Sequence, residues 1–248
     1  MEDVIGFFGG DSQTGTTMIA WSFAERLSEG RKKVLFLLGS GNEDHLYLAA
    51  ENFHSMDDLK AMIRSGRVEK EDLFQSMDKR KKLWVLPGTK NSLSAEYFLE
   101  NTFQILLENV KEAFDYVVID GGSNLRLGLT ISALNVSSIR FFVITQQAKT
   151  LRRFIRNRER LLQPLGMNGQ IILNRYRKDP ALFLKKDVCR MLGIDDVMTI
   201  PFVEEGWQME MEQKNLLESS RFCRAIDCLV NPFVEGDKKV LGWRRFFV

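Results

Sequence analysis

The residues with the clearest chemical potential form a glycine-rich turn near the N-terminus. Residues 9–17 read GGDSQTGTT and follow an apolar run that predicts a strand. From Gly10 to Thr17 they fit the frame G-x-x-x-x-G-K-[ST], in which backbone N–H groups hold phosphate and the hydroxyl ligates Mg²⁺. Thr16 stands where that frame has the lysine that pairs with the β and γ phosphates. The turn therefore predicts a nucleotide-phosphate site with weak or absent hydrolysis.

A carboxylate at the end of another apolar run would complete such a site. Residues 114–122 read FDYVVIDGG, so Asp120 ends a predicted strand in the position that holds Mg²⁺ through water. The helix predicted to begin near Thr17 would add N–H donors toward an anion. We expect Thr17 and Asp120 to meet at Mg²⁺, and Asp120 would be the catalytic carboxylate if the site is active. The alternative is that Asp120 only terminates its strand.

Strand-like and helical segments alternate along the chain, which has 248 residues and the size of one large domain. The apolar runs are mostly continuous, as is typical of parallel strands buried on both faces. We predict an α/β fold with a doubly wound, mostly parallel sheet and helices on both faces, in a domain over 1–230 followed by a tail over 231–248. The predicted strands are 4–8, 33–38, 83–87, 116–120, 140–145, 170–174 and 197–200. The predicted helices are 17–29, 56–65, 69–78, 94–113, 126–135, 149–163, 180–192 and 205–230.

This order of elements resembles the ParA/MinD family of P-loop ATPases over most of the chain. Besides the strand ending at Asp120, the resemblance rests on residues 171–176, which read IILNRY, and 199–203, which read TIPFV. It implies a P-loop NTPase fold, a homodimer, and ATP or ADP with Mg²⁺, in which Asn174 reads the adenine edge and Pro201 borders the base. The implied cofactor-binding residues are Gly10, Gly15, Thr16, Thr17, Asn174, Arg175 and Pro201.

Several charged groups of that family are missing together. Its signature lysine falls at Asp11 and its P-loop lysine at Thr16, while Leu38 and Ser40 occupy the two aspartate positions of its switch strand. The glycines at 121–122 replace a pair of prolines after the Mg²⁺ carboxylate. Since phosphoryl transfer depends almost wholly on positioning and charge stabilisation, we expect slow or absent hydrolysis. Asp11 would also repel phosphate.

Two details resemble one branch of the family, the TadZ/CpaE pilus-localisation proteins: the GTT form of residues 15–17 and the MDDL segment at 56–59. That resemblance implies a localisation or scaffold factor for pilus or secretion assembly at the inner membrane. Two alternatives stay open. One is an active ATPase whose catalytic cation is relocated to Lys32, Lys33 or a partner's arginine. The other is a DNA-binding partition protein.

Two basic segments are candidate contact surfaces. Residues 149–163 predict an amphipathic helix whose arginines either bind an acidic partner, nucleic acid or lipid, or form only a solvated face. Residues 238–248, KKVLGWRRFFV, either meet a membrane surface or pack on the domain. Arg158, on the apolar side of the helix, would mark a dimer contact. The helix arginines are Arg152, Arg153, Arg156 and Arg160, and the tail residues are Lys238, Lys239, Trp243, Arg244, Arg245, Phe246 and Phe247.

Overall charge and hydropathy limit the kinds of partner and the cellular location that we expect. A net charge of +2 gives no global case for nucleic-acid binding. No apolar run approaches the roughly 18 residues that span a bilayer. Met1 is followed by Glu2, Asp3 and a predicted strand, which leaves no room for a signal peptide. We therefore expect a cytoplasmic protein whose membrane contact, through the tail, is peripheral.

Overall fold

Eight strands form the centre of the computed structural model, which describes residues 4–30, 32–41, 55–206, 212, 214 and 216–234. All predicted strands are present, with ends that differ by at most two residues from those expected. The strands are β1 (Val4–Gly9), β2 (Val34–Leu38), β3 (Asp78–Arg80), β4 (Leu83–Leu86), β5 (Tyr116–Asp120), β6 (Ile139–Thr145), β7 (Gln170–Tyr176) and β8 (Met198–Pro201).

The strands lie in one sheet in the order β3-β4-β2-β5-β1-β6-β7-β8. Every neighbouring pair is parallel except β3 with β4. All five residues of β2 are buried, as a continuous apolar run predicts for a strand covered on both faces. The strand β3 was not predicted, because its three residues, DKR, are polar and lie at the sheet edge. The predicted fold class is confirmed.

Nine helices among the described residues cover both faces of the sheet. Ile19, Phe23 and Ile226 pack on one face, and Phe103, Leu129 and Phe154 pack on the other. The helices are α1 (Thr16–Glu29), α2 (Lys60–Ser65), α3 (Lys70–Ser76), α4 (Ser92–Ala95), α5 (Thr102–Val110), α6 (Gly128–Val136), α7 (Ala148–Asn157), α8 (Lys185–Leu192) and α9 (Ser220–Val234). Shorter turns are 3₁₀ at Met56–Leu59, Lys111–Ala113 and Leu216–Glu218, and π at Arg158–Leu162.

Two predicted helices differ from the structure for local reasons. The helix expected over 94–113 is divided into α4 and α5. The side chain of Asn91 caps α4 by accepting from Ser94 N at 2.9 Å, and Ser132 Oγ accepts from Phe103 N at 2.8 Å in the first turn of α5. The helix expected over 149–163 changes to a π turn, which leaves Leu161 40% exposed instead of on the apolar face.

The two last predicted helices are shorter than expected. The helix predicted over 180–192 begins at Lys185, the first residue of α8. Of the helix predicted over 205–230, the described part consists of the 3₁₀ turn and α9, which continues past Pro232 to Val234. Residues 231–234, assigned to the tail by the sequence, therefore belong to α9. The basic and aromatic tail residues lie outside the described residues, and their role stays a prediction.

Phe233 anchors the last turn of α9 in the core. Its ring is 3% exposed and meets Phe23 edge-on, with centroids 5.4 Å apart. Tyr116 makes a second edge contact at 6.0 Å and donates its hydroxyl hydrogen to Phe233 O at 2.8 Å. Helix α9, through residue 234, is therefore part of the folded domain.

We predict that Phe233→Ala lowers the free energy of unfolding by about 3–5 kcal/mol, because it removes a buried ring and leaves a cavity. The neighbouring Val234, which is 39% exposed, is the matched control, and Val234→Ala should cost less than about 1 kcal/mol. Urea denaturation monitored by circular dichroism measures both. Equal losses for the two variants would contradict the anchoring role of Phe233.

Candidate nucleotide-binding site

The candidate site lies at the carboxyl edge of the sheet, where the loops that follow parallel strands meet. β1 pairs with β5 on one side and β6 on the other, and β7 lies beyond β6. A cleft of about 280 Å³ opens there. Its lining includes six of the predicted cofactor-binding residues, namely Gly15, Thr16, Thr17, Asn174, Arg175 and Pro201. The seventh, Gly10, lies behind the loop, where its N–H donates to Val143 O at 2.8 Å.

The loop between β1 and α1 contains two residues in the left-handed conformation. Gly15 adopts φ 80° immediately before α1, and a Cβ there would lie 2.5 Å from Asn174 Nδ2. Gln13 also has a positive φ of 59°, a conformation that costs a non-glycine residue about 1–2 kcal/mol. Gly15, the N-cap residue of α1, has no side chain with which to cap the helix, and the first turn of α1 lies at the wall of the cleft. The loop thus keeps a strained shape at a place where strain is often functional.

Thr17 and Asp120, the predicted Mg²⁺ ligands, are brought into contact. Thr17 Oγ1 donates to Asp120 Oδ2 at 2.6 Å, and Gly122 N donates to Oδ1 at 3.1 Å. The side chain of Asp120 is fully buried. A hydroxyl and a carboxylate are the hard oxygen donors that Mg²⁺ takes, and water and phosphate usually complete its shell. The described residues contain no cluster of three or more His, Cys, Asp or Glu, so such additional ligands would be needed.

Asn174 holds the phosphate loop in place. Its side chain is 6% exposed, and Nδ2 donates to Thr14 O at 2.8 Å. This contact was not predicted, because the resemblance implied only a role toward adenine, and that role stays a prediction. Arg175 follows with a positive φ of 55°, and its Nη2 lies 4.0 Å from the position that a Cβ on Gly15 would take. The carboxyl-terminal end of β7 is therefore fitted to the loop.

The outer part of the cleft is apolar and aromatic. Phe202 lies in its wall, and the guanidinium of Arg177 stacks over that ring with its Cζ 3.5 Å from the centroid. A flat, largely apolar wall suits a nucleotide base. Of these residues only Pro201 was predicted, although the PFV run that begins at the end of β8 was a usable signal. The apolar residues that line the cleft are Met18, Ile19, Trp21, Pro201, Phe202, Val203, Leu216 and Phe222.

The two positions that lack a lysine are filled in different ways. Thr16 is 8% exposed, and its hydroxyl lies 3.0 Å from Thr14 Oγ1, so it packs within the loop. Asp11 is 6% exposed and forms an ion pair with Arg153, whose Nη1 lies 2.6 Å from Oδ1. Two like charges about 4 Å apart repel by about 4 kcal/mol at an effective dielectric constant of 20. Arg153 therefore neutralises a carboxylate that alone would repel a phosphate at the loop.

The remaining candidate residues occupy distinct places. Leu38 is buried in register with Asp120, and Ser40 is buried against Gly122, where a Cβ would lie 2.7 Å from Ser40 Cα. Lys32 and Lys33 precede β2, so they lie at the opposite edge of the sheet from the cleft. Neither lysine therefore reaches the cleft of its own chain, and a catalytic arginine from a partner subunit stays a prediction.

Arg158 contacts its own chain rather than marking a free interface. Its Nη1 donates to Leu192 O, at the end of α8, at 2.5 Å. Cations near a helix C-terminus satisfy its last carbonyl groups. The prediction of a dimer contact at Arg158 has no support in this geometry. Arg153 is likewise drawn from the predicted basic face toward the loop, and three exposed arginines remain, Arg152, Arg156 and Arg160.

Solved structures resemble this chain along most of its length. A ParA family ATPase from Chlorobium tepidum TLS superposes with a TM-score of 0.76 at 20% identity, over 91% of this chain and 96% of that one. The septum site-determining protein MinD complexed with Mg-ADP, from Pyrococcus horikoshii OT3, gives 0.76 at 18%, over 98% and 99%. The chain has the ParA/MinD fold. A putative plasmid partition protein from Borrelia burgdorferi B31 bound to AMPPNP gives 0.73 at 15%, over 96% and 100%.

Sequence comparison alone detects none of this similarity. No model of a known protein family matches the chain, and no curated protein matches it. Identities of 20% or less establish the ParA/MinD fold and leave the chemistry to the residues of the site. In the part of the chain that the structure describes, no helix is long and apolar enough to cross a membrane.

We predict that Asn174→Ala lowers the free energy of unfolding by about 1–3 kcal/mol, because it leaves the Thr14 carbonyl in a buried place without its donor. Asn109 is the matched control, since its amide donates to Ile105 O at 3.3 Å on an exposed helix face. Asn109→Ala should change stability by less than about 0.5 kcal/mol. Urea denaturation distinguishes the two, and an unchanged midpoint for Asn174→Ala would contradict its role in holding the loop.

Proposed function

We propose that this protein is a ParA/MinD-like protein that binds ATP or ADP with Mg²⁺ and hydrolyses ATP slowly or not at all. The observation that carries the proposal is the contact of Thr17 with Asp120 beside a phosphate loop of retained shape, while both lysine positions hold other residues. Nucleotide in two of the similar structures, as Mg-ADP and as AMPPNP, supports a ligand of this class.

Each part of the cleft has a distinct task in this proposal. The N–H groups at the start of α1 hold the phosphates, and Thr17 and Asp120 hold Mg²⁺, Asp120 directly or through water. Mg²⁺ would neutralise charge on the phosphate oxygens. The base lies against Phe202 and Pro201. Asn174 holds the loop in place through its bond to the Thr14 carbonyl, and Arg175 lies beside the loop.

Weak hydrolysis follows from the charges of the site. Catalysis of phosphoryl transfer needs fixed positive groups aimed at the transferred phosphoryl, and one such group is commonly worth a factor of about 10³–10⁵ in rate. Thr16 offers a neutral hydroxyl that is turned into the loop. Leu38 and Ser40 provide no carboxylate to orient a water molecule. Nucleotide would then act as a structural or switching ligand.

We further propose a role in localisation or scaffolding, as a homodimer at the inner membrane face, for instance in pilus or secretion assembly. The exposed arginines of α7 and the following turn lie close in sequence to Leu161 and Leu165, which are 40% and 58% exposed. Basic and apolar groups together suit an anionic membrane surface better than DNA, which favours basic groups alone. The tail over 235–248 would add a second membrane contact, and dimerisation would pair two such weak contacts.

The binding proposal predicts that the chain binds ADP and ATP at micromolar concentrations in the presence of Mg²⁺. Thr17→Val removes the hydroxyl at nearly constant volume, so it should weaken Mg²⁺-dependent binding at least about tenfold. Thr17→Ser keeps the hydroxyl and is the matched control. Isothermal titration calorimetry with and without Mg²⁺ measures the affinity of each variant for ADP and ATP. Failure of the unaltered chain to bind at millimolar nucleotide would refute the proposal.

The hydrolysis proposal predicts phosphate release that is slow or indistinguishable from the buffer blank. Thr16→Lys restores the missing cation and should raise the rate above the blank, whereas Thr16→Val should leave it unchanged. A phosphate-release assay at saturating ATP and Mg²⁺ makes the comparison. A clear rate in the unaltered chain that disappears in Asp120→Ala would show instead an active enzyme.

A further inference from the structure

The ion pair of Asp11 and Arg153 lies at the phosphate loop, and the proposed function gives it no task beyond neutralisation. Asp11 lines the cleft, and its side chain is 7% exposed, whereas that of Arg153 is 49% exposed. Asp11 Oδ1 accepts from Arg153 Nη1 at 2.6 Å and from Ser12 N at 2.8 Å. A loop N–H and a guanidinium are the donors that a phosphate oxygen receives in a phosphate-binding loop. Asp11 thus makes phosphate-like contacts from within the chain.

The position of Arg153 is fixed by its own helix. The next residue, Phe154, is 1% exposed and packs on the loop, where a Cβ on Gly10 would lie 3.1 Å from Phe154 Cβ. Gly10 is in turn bonded to β6 through its N–H and Val143 O at 2.8 Å. The backbone of Arg153 is therefore held at the loop. Its half-exposed side chain can still change rotamer, because only its far end is engaged by Asp11.

We infer that Arg153 is the cation of this phosphate site, and that it transfers from Asp11 to a phosphate oxygen of the nucleotide. Without ligand, Asp11 neutralises Arg153 and keeps it at the loop. With ligand, Arg153 binds phosphate, and the forked guanidinium can contact phosphate and carboxylate together. Asp11 therefore competes with the ligand for Arg153. The inference rests on the proposed function, because it names the cation that the proposed nucleotide site uses.

Arg153 and Arg175 approach the loop from different sides. Arg175 follows Asn174 on the base side, near Gly15. Arg153 comes from α7 on the side of Asp11, and 142 residues separate the two partners. Arg153 thus supplies from within the same chain a positive charge at the position where the sequence has lost one.

The inference is tested by calorimetric titration of ADP and of inorganic pyrophosphate, with Mg²⁺, into the full chain and four variants. Arg153→Ala should weaken ADP binding at least about tenfold, the loss expected for a charge-assisted hydrogen bond. Asp11→Asn releases Arg153 and should tighten binding. The double variant Asp11→Asn with Arg153→Ala should bind at least about tenfold more weakly than Asp11→Asn alone. Lys149→Ala removes an exposed charge from the same helix and should bind as the unaltered chain does.

Pyrophosphate separates phosphate contact from indirect effects on the base. Its affinity should fall in Arg153→Ala by the same factor as that of ADP. The melting temperature of each variant without ligand reports folding. If Arg153→Ala does not fold, because it leaves Asp11 buried without its cation, the pair of variants that carry Asp11→Asn decides the matter, since neither contains that carboxylate.

The outcomes separate this inference from the proposed function. Equal ADP affinity in the unaltered chain and Arg153→Ala would overturn the inference and leave nucleotide binding intact. Equal affinity in Asp11→Asn and the double variant would also overturn it, because Arg153 would then serve only to neutralise Asp11. If Asp11→Asn is the only form that binds ADP, the inference is supported, and the proposal that the unaltered chain binds nucleotide is wrong. Failure of every variant at millimolar ligand would overturn both.

Discussion

The position of β1 between β5 and β6 is the constraint on which the site depends. Pairing with β5 puts Asp120 beside Phe7 at the carboxyl edge, and the first turn of α1 then brings Thr17 within 2.6 Å of it. Pairing with β6 puts α7 over the loop on the other side. Because both neighbours are parallel to β1, their following loops meet at one edge. A buried carboxylate such as Asp120 is stable only with donors, and this strand order provides them.

The loop between β1 and α1 combines a left-handed backbone with side chains that carry no lysine charge. Gln13 adopts a left-handed conformation that glycine would take more easily, and Gly15 does the same beside Asn174. Hydroxyl groups of Thr14 and Thr16 fill the loop where a lysine would extend over it. Shape and charge are therefore separable properties here. In the proposed site, the fold and its backbone donors would specify where an anion binds, while the side chains would decide how strongly it binds and whether it reacts.

The sequence predicted the fold and the inner part of the site because both leave local signals. Continuous apolar runs give parallel strands, and the spacing of Gly10, Thr17 and Asp120 follows from a frame of known geometry. Contacts between distant segments left no such signal. Nothing in the sequence pairs Asp11 with Arg153, and the donation from Asn174 to Thr14 O requires the position of the end of β7 relative to the loop to be known. The strand β3 and the π turn were not predicted because each is too short to show a periodic pattern of apolar residues.

The end of α9 and the cleft lie at opposite edges of the sheet. Tyr116, whose hydroxyl binds Phe233 O, is the first residue of β5, and Asp120 is the last, about 13 Å away along the strand. Val234 accordingly ends near Gly30, at the amino edge of the sheet, where a Cβ on Gly30 would lie 3.4 Å from Val234 Cγ1. The end of α9 therefore lies on the side of the domain that faces away from the cleft. A surface that contacted the domain at this end would leave the cleft turned outward and open to the solvent.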